Sequence, residues 1–103
     1  MSNGDKRVDI RRTGKGWSVS PPDVEIDVLK NEQVVWFCED ADFEIEFATN
    51  GCPFQWGTPR KHMKKRVRNP SGRAKSTVNN KDRFKYNVRV DGVLIDPEVV
   101  IKR

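Results

Sequence analysis

The fold is decided near the end of the chain by residues 84–101, which read FKYNVRVDGVLIDPEVVI. The first seven of these residues alternate large apolar side chains with polar ones, and a period of two sends successive side chains to opposite faces of a β-strand. Asp91 and Gly92 follow, and both tolerate the positive φ angles of a two-residue type I′ turn. The pattern predicts a β-hairpin that closes onto residues 93–95, with another strand at 99–101. The rest of the chain must supply partners for this hairpin.

Shorter stretches upstream are typical of further strands. They are residues 7–11, 17–19, 24–28, 34–38 and 43–47. No stretch of twelve residues shows the apolar spacing of a helix. Pro21 and Pro22 cannot donate to a β-ladder, so we expect the chain to cross between sheets there. About seven short strands separated by turns predict an all-β fold, a Greek-key β-sandwich.

The core of this sandwich must be thin, because only 35% of the residues are hydrophobic and 34% are charged. Aromatic and β-branched residues of the alternating stretches are its natural members, and Phe54 and Trp56 should plug one end of it from a loop. We predict the following core: Val8, Ile10, Val24, Ile26, Val28, Val34, Trp36, Phe43, Ile45, Phe47, Phe54, Phe84, Tyr86, Val88, Val90, Leu94, Val99 and Ile101.

The length of 103 residues fits one domain. We expect residues 1–6 to form a flexible N-terminus and residues 7–103 to form the domain, with a basic loop at 60–75. No apolar run approaches the roughly 20 residues that span a bilayer, and the N-terminus lacks the apolar segment of a secretory signal. We therefore expect a soluble, cytoplasmic protein in which Cys38 and Cys52 remain thiols.

The charges are divided along the chain. Residues 21–59 carry nine acids and one base, whereas residues 60–75 carry eight bases and no acid, within a net charge of +5. The eight bases are Arg60, Lys61, Lys64, Lys65, Arg66, Arg68, Arg73 and Lys75. Such asymmetry bears on partners rather than on fold.

This basic segment, residues 60–75, has several interpretations. In conformation it is either a short helical turn or a mobile loop. It is either solvated, or it folds over the acidic region 39–46 of its own domain or of a neighbouring copy. It contacts a protein partner or mediates self-association, or it binds nucleic acid or another polyanion through its cations. Stacking on single strands needs aromatic residues among the bases, and here only His62 lies in the run, with Trp56 just before it. We expect the segment to move unless something anionic holds it.

The order of strands resembles the cupredoxin family. The resemblance lies in the apolar strand with Trp36, the Pro53-Phe54 loop and the closing hairpin, and it spans roughly residues 5–103. It is strongest for small bacterial cupredoxin-like domains, which end in a Tyr-x-Val-x-Val-x-Gly strand, here 86–92, and a final Asp-Pro-x-Ile-x-Val strand, here 96–101. The resemblance implies a cupredoxin-like sandwich.

The same resemblance implies a type 1 copper site, and here the chain departs from the family. Such a site needs two histidines, a cysteine thiolate and usually an axial methionine. The chain has one histidine, His62, directly followed by Met63, and no cysteine after Cys52. We therefore expect the fold without a copper site and without an obligatory cofactor.

These observations lead to a predicted function and two alternatives. We predict a non-catalytic, metal-free module for protein interaction or assembly, which acts through an acidic face and the basic segment. The first alternative is binding of nucleic acid or another polyanion through 60–75. The second is an atypical metal site formed by Cys52, His62 and Met63, with Cys38 as a further candidate. A Cys52–His62 nucleophile pair has no supporting motif, so we do not expect an enzyme.

Overall fold

The computed structural model describes residues 5–14, 16–47 and 51–103, and within these ranges it contains strands and no α-helix. The strands are β1 (Lys6–Thr13), β2 (Gly16–Ser20), β3 (Asp23–Asp27), β4 (Val34–Cys38), β5 (Phe43–Glu46), β6 (Arg60–Met63), β7 (Asn69–Pro70), β8 (Arg83–Lys85), β9 (Asn87–Val90), β10 (Val93–Ile95) and β11 (Glu98–Lys102). One 3-10 turn, Val28–Lys30, follows β3. Residues 1–4 of the predicted flexible N-terminus lie outside the described ranges, as do residues 48–50, which precede the loop of Phe54 and Trp56.

The all-β sandwich is confirmed, but the expected number of strands was wrong, since the described ranges hold eleven rather than about seven. β6 and β7 were not predicted as strands, and they have only four and two residues. The predicted strand at 84–90 divides into β8 and β9. No helix in the described part of the chain is long and apolar enough to cross a bilayer.

Three sheets build the sandwich. Their strand orders are β2-β1-β4-β7, β10-β9-β5-β6 and β3-β11-β8. β1 pairs antiparallel with β2 and parallel with β4, and β3 pairs parallel with β11. The predicted crossing at Pro21 and Pro22 is confirmed, because β2 before the prolines and β3 after them belong to different sheets.

The closing hairpin has the predicted turn. Asp91 and Gly92 have φ angles of 51° and 76°, and Val90 pairs with Val93 across the turn. The strand before the turn, however, is not continuous, because the chain changes sheets at Tyr86. β8 pairs with β11 and β9 pairs with β5, while the Tyr86 N–H donates to the Pro97 carbonyl at 3.0 Å. The alternation runs through the switch unchanged, which is why the sequence predicted a single strand.

Aromatic rings fill the centre of the core. Trp36 and Tyr86 are both fully buried, with ring centroids 5.7 Å apart, and the Trp36 Nε1–H donates to the Tyr86 hydroxyl at 3.2 Å. Burial raises the pKa of Tyr86, so its hydroxyl stays protonated and able to accept this bond. Phe54 is buried against Trp36, and Trp56 packs beside both rings, which confirms that these two residues plug one end of the core.

Most of the predicted core residues are buried, and three are not. Val28 and Phe84 are only partly buried, and Leu94 is 53% exposed. Leu94 was misplaced because it lies opposite Arg89 on the outer face of the edge strand β10. The structure also buries apolar residues that were not predicted: Val19, Val35, Cys38, Met63 and Val78.

We predict that Tyr86→Phe lowers the free energy of unfolding by about 1–3 kcal/mol, because the buried Trp36 N–H loses its acceptor. Urea unfolding of the purified domain measures this. Leu94→Ala is the control, and its half-exposed site should change stability by no more than about 0.5 kcal/mol. Equal stabilities of the Tyr86 variant and the wild type would show that the bond contributes nothing.

Candidate functional site

The basic segment forms one lateral side of the sandwich. β6 is the edge strand of one sheet, β7 is the edge strand of another, and residues 64–68 connect them. The expected helical turn or loop was therefore wrong at 60–63 and 69–70. Pairing with a neighbouring strand explains the error, because Met63 lies opposite the buried Phe43 while the other residues of β6 remain exposed at the edge.

The acidic strand β5 lies directly beside β6, and their opposite charges meet on the outer face of the sheet. Arg60 Nη2 lies 2.7 Å from Glu46 Oε2, and its Nε lies 3.6 Å from Glu44 Oε1. Arg89 on β9 approaches the same carboxylates from the other side, with Nη2 3.4 Å from Glu46 Oε1. The His62 Nε2 lies 3.2 Å from Glu44 Oε2. Two carboxylates are therefore shared among three basic side chains.

These contacts cover both carboxylates. The side chains of Glu44 and Glu46 are only 13% and 12% exposed. The hydrogen bond from Arg60 holds the pKa of Glu46 below its ordinary value, with a further contribution from Arg89 and against the opposing effect of burial. The acidic face expected at this strand is thus largely neutralised by the domain's own bases.

Hydrogen bonds with two side chains and with a neighbouring strand hold the backbone of the loop after β6. Asn69 Nδ2 donates to the carbonyls of Lys64 and Val67 at 2.9 and 3.0 Å, and the Lys64 N–H donates to Asn69 Oδ1 at 3.2 Å. The Lys65 N–H donates to Asp42 Oδ1 at 2.9 Å, and the Arg66 N–H donates to the Cys38 carbonyl at 2.8 Å. The loop therefore has one defined shape.

Further ion pairs tie the segment to acids elsewhere. Arg66 Nε lies 3.5 Å from Glu39 Oε1, and Arg68 Nη2 lies 3.4 Å from Asp5 Oδ2. Together with the Arg60 contacts, this is the arrangement in which the segment folds over the acidic region 39–46 of its own domain. The expectation that it moves unless an anion holds it is compatible with these contacts, because the anions are present.

Five of the eight predicted site bases are not engaged in this way. Lys64, Lys65, Arg73 and Lys75 have no ion-pair partner among the residues that the structure describes. Lys61 also lacks one there, and its ammonium lies 5.6 Å from the centre of the Trp56 ring. The free cations thus occupy two places, the loop at Lys64–Arg68 and the surroundings of Trp56.

The candidate metal ligands do not come together. His62 and Met63 are adjacent on β6, so their side chains leave opposite faces, with His62 exposed and Met63 buried. Cys38 is buried within β4, and Cys52 is partly buried in a loop. Within the described ranges, no group of three or more His, Cys, Asp or Glu residues is placed to hold a metal ion. These residues do not fit a type 1 copper ion, which takes two histidines.

Cys52 and His62, which were considered as a nucleophile pair and not expected to form one, lie in different surroundings. Cys52 lines a cleft with Gly57, Thr58, Pro59 and Lys75, whereas His62 lies against Glu44 on the outer sheet face. Burial raises the pKa of the Cys52 thiol. A raised pKa reduces the thiolate fraction, so the site lacks the activation that a nucleophilic cysteine requires.

Sequence reasoning missed two residues that shape this surface. Arg89 occupies a polar position in the alternating stretch 84–90 and Asn69 lies in the basic segment, and neither was singled out for a role. Arg89 lies opposite Glu44 and carries the opposite charge. The preference for oppositely charged cross-strand pairs would have predicted this contact if β5 and β9 had been known to be neighbours. The three bonds of Asn69 had no signal beyond its general tendency to bond nearby backbone.

We predict that Arg60→Gln raises the pKa of Glu46 toward the ordinary glutamate value of 4.5. A carboxylate whose pKa is lowered by folding stabilises the folded state at pH values above its ordinary pKa. This contribution disappears as the pH falls through the pKa of the folded state. The wild type should therefore lose more stability than the variant when the pH is lowered below 4.5, the ordinary pKa of glutamate. NMR titration of the Glu46 carboxyl, with urea unfolding at several pH values, measures both effects.

Lys61→Gln is the matched control for this substitution, since it removes a neighbouring charge on the same strand that lies over Trp56 instead. It should leave the pKa of Glu46 close to the wild-type value. The same shift in both variants would assign the effect to general charge rather than to the Arg60 hydrogen bond.

Comparisons with known proteins identify the fold. Neither a protein-family model nor a curated protein matches the chain. Among solved structures, a purple cupredoxin from Nitrosopumilus maritimus superimposes with a TM-score of 0.62 at 19% sequence identity, covering 95% of this chain and 100% of that one. At this identity the likeness concerns the fold and not the activity. The predicted cupredoxin-like resemblance is confirmed: this chain has a cupredoxin-like β-sandwich fold.

Proposed function

We propose that this domain is a non-catalytic binding module that docks an acidic surface of a protein partner through the loop Lys64–Arg68. The observation that carries the proposal is the combination of a defined loop shape with uncompensated charge at its tip. Lys64 and Lys65 are exposed, and Val67 between the bases is 49% exposed.

The hydrogen bonds of the loop support this role. Asn69 fixes the backbone of Lys64 and Val67, and Asp42 fixes the backbone of Lys65. A loop that is already ordered loses little conformational entropy when it binds, so more of the interaction energy contributes to affinity. The edge strands β6 and β7 hold the two ends of the loop, so its side chains are presented to the partner in a fixed arrangement.

Charge indicates the class of partner. The acids of β5 are occupied by Arg60 and Arg89, so the acidic strand serves to hold the basic side of the domain rather than to face a partner. Lys64 and Lys65 are left to attract carboxylates from outside, which favours rapid encounter and a fixed orientation. Val67 adds an apolar contact at the centre of the charged loop.

A non-catalytic role agrees with the chemistry of the candidate nucleophile and base. The pKa of the Cys52 thiol is raised, and Cys52 lies in a cleft wall whereas His62 lies on the outer sheet face against Glu44. A second candidate function, binding of a polyanion through the basic segment, is favoured by one specific observation. Lys61 and Arg73 lie beside the partly buried ring of Trp56, which combines cations with an aromatic surface.

We predict that Lys64→Glu combined with Lys65→Glu weakens partner binding at least about tenfold, because the reversed charges repel an acidic surface. A photo-crosslinking amino acid at position 67 in the native host identifies the partner. The affinity of the purified partner is then measured for the wild type and the variant over a range of salt concentrations. Sedimentation of the domain alone reports whether the partner is a second copy.

The matched control is Lys30→Glu with Lys102→Glu, two exposed bases outside the basic segment that give the same change in net charge. It should bind the partner within about twofold of the wild type, as expected for charges away from the interface. Equal losses in both variants, or wild-type affinity in the Lys64 and Lys65 variant, would contradict the proposed docking loop.

A further inference from the structure

An open cleft lies beside Trp56, between β6 and the residues that follow β7. It has a volume of about 390 Å3 and is lined by Gln55, Trp56, Lys61, Ser71, Gly72 and Arg73. The cleft forms where residues 71–75 return beside the core-plugging loop. The Lys75 N–H donates to the Pro53 carbonyl at 2.7 Å, and Phe54 bridges to Ala74. Its volume falls within the roughly 300–1,000 Å3 of small-molecule sites.

Trp56 is held in the cleft as a fixed aromatic surface. Its Nε1–H donates to the Ser71 carbonyl at 2.9 Å. Its ring packs nearly parallel to Phe54, with centroids 5.8 Å apart, and edge-on to Phe47 at 5.5 Å. The indole is nevertheless only partly buried, so part of its surface remains available. These contacts order the ring before any ligand arrives.

The walls of the cleft are positive. Lys61 and Arg73 both line it, and no carboxylate does so among the described residues. An adjoining cleft of about 270 Å3, between Cys52 and Pro59, adds Lys75 as a third cation without an acid in its described lining. Two further clefts have acidic residues in their linings. Asp9, Glu39 and Asp40 line one, and Glu32 lines the other, which shares Gln55 and Arg73 with the cleft beside Trp56.

We infer that this cleft binds a nucleotide, with the base against Trp56 and the phosphate at Lys61 and Arg73. An aromatic base gains from stacking on an ordered indole, and its phosphate gains from two cations that have no acid of their own. Gln55 contributes an exposed amide that can donate to or accept from the base edge. A ringless anion would use the cations and leave the aromatic surface unused.

The nucleotide comes either from a free mononucleotide or from a single-stranded nucleic acid. Lys75 in the adjoining cleft gives a strand a place for a second phosphate. The inference rests on the second candidate function and uses none of the residues of the docking loop. Failure of one proposal is therefore separable from failure of the other.

The test uses the full chain with three probes: adenosine monophosphate, a short oligothymidylate and inorganic polyphosphate. Tryptophan fluorescence and isothermal calorimetry report binding to the wild type, to Lys61→Gln with Arg73→Gln, and to Lys30→Gln with Lys102→Gln, a control of equal charge at exposed bases outside the basic segment. We expect the cleft variant to lose about tenfold or more in affinity for nucleotides, with a shallower salt dependence, and the control to stay within about twofold.

Trp56→Leu tests the stacking directly and should weaken nucleotide binding about fivefold to a hundredfold. Trp56→Phe keeps a ring in the core if the leucine variant does not fold, and it should abolish the fluorescence change while retaining part of the affinity. Binding of the mononucleotide as tight as that of the oligonucleotide identifies the free ligand, and tighter binding of the oligonucleotide identifies a strand. Absence of nucleotide binding, equal losses in both charge variants, or polyphosphate binding that matches the oligonucleotide would overturn the inference.

Discussion

The buried contact between Trp36 and Tyr86 organises the rest of the molecule. Trp36 lies in β4, one of the two inner strands of its sheet, and Tyr86 lies where the chain leaves one sheet for another. Their hydrogen bond therefore joins all three sheets at the centre of the core. The rings of Phe54 and Trp56 pack against this pair and close one end of the sandwich. The cleft beside Trp56 therefore exists because the aromatic core reaches the surface at this point. An indole N–H or a tyrosine hydroxyl without a hydrogen-bond partner would destabilise such a core, and here the two groups bond to each other.

The division of charge along the chain acquires a structural meaning from the neighbouring positions of β5 and β6. Antiparallel pairing places Glu44 opposite His62 and Glu46 opposite Arg60, and Arg89 completes the set from β9. Exposed ion pairs of this kind contribute little to stability individually, but here they determine which cations remain for other tasks. The carboxylates of Glu44 and Glu46 are thus paired with bases of the same domain. The bases that remain lie at the connecting loop and around Trp56, and these two places are the proposed binding surfaces.

A cupredoxin-like fold serves here as a rigid frame for edge strands and loops. The side chains that could coordinate a metal are separated, with Cys38 inside β4, His62 on an outer sheet face and Cys52 in a cleft wall. Both proposed functions use side chains that the fold presents at its edges. Edge strands usually carry charges that prevent uncontrolled pairing with other chains, and β6 with its bases fits that pattern. Of the bases on β6, Arg60 is paired with Glu46, whereas Lys61 lines the cleft beside Trp56.

Much of the fold followed from the sequence, because alternation is a local property. The hairpin of residues 84–101, its turn at Asp91 and Gly92, the apolar β4 and most of the core needed only the pattern of neighbouring side chains. The division of charge and the single histidine were also visible, and with them the misfit to a copper site. The sequence could not show which strands become neighbours. The sheet switch at Tyr86 preserves the alternation, Leu94 is exposed because β10 is an edge strand, and β6 is a strand because β5 pairs with it. The cleft beside Trp56 likewise depends on residues 71–75 returning to the loop at Phe54, a contact between distant segments that only the tertiary structure decides.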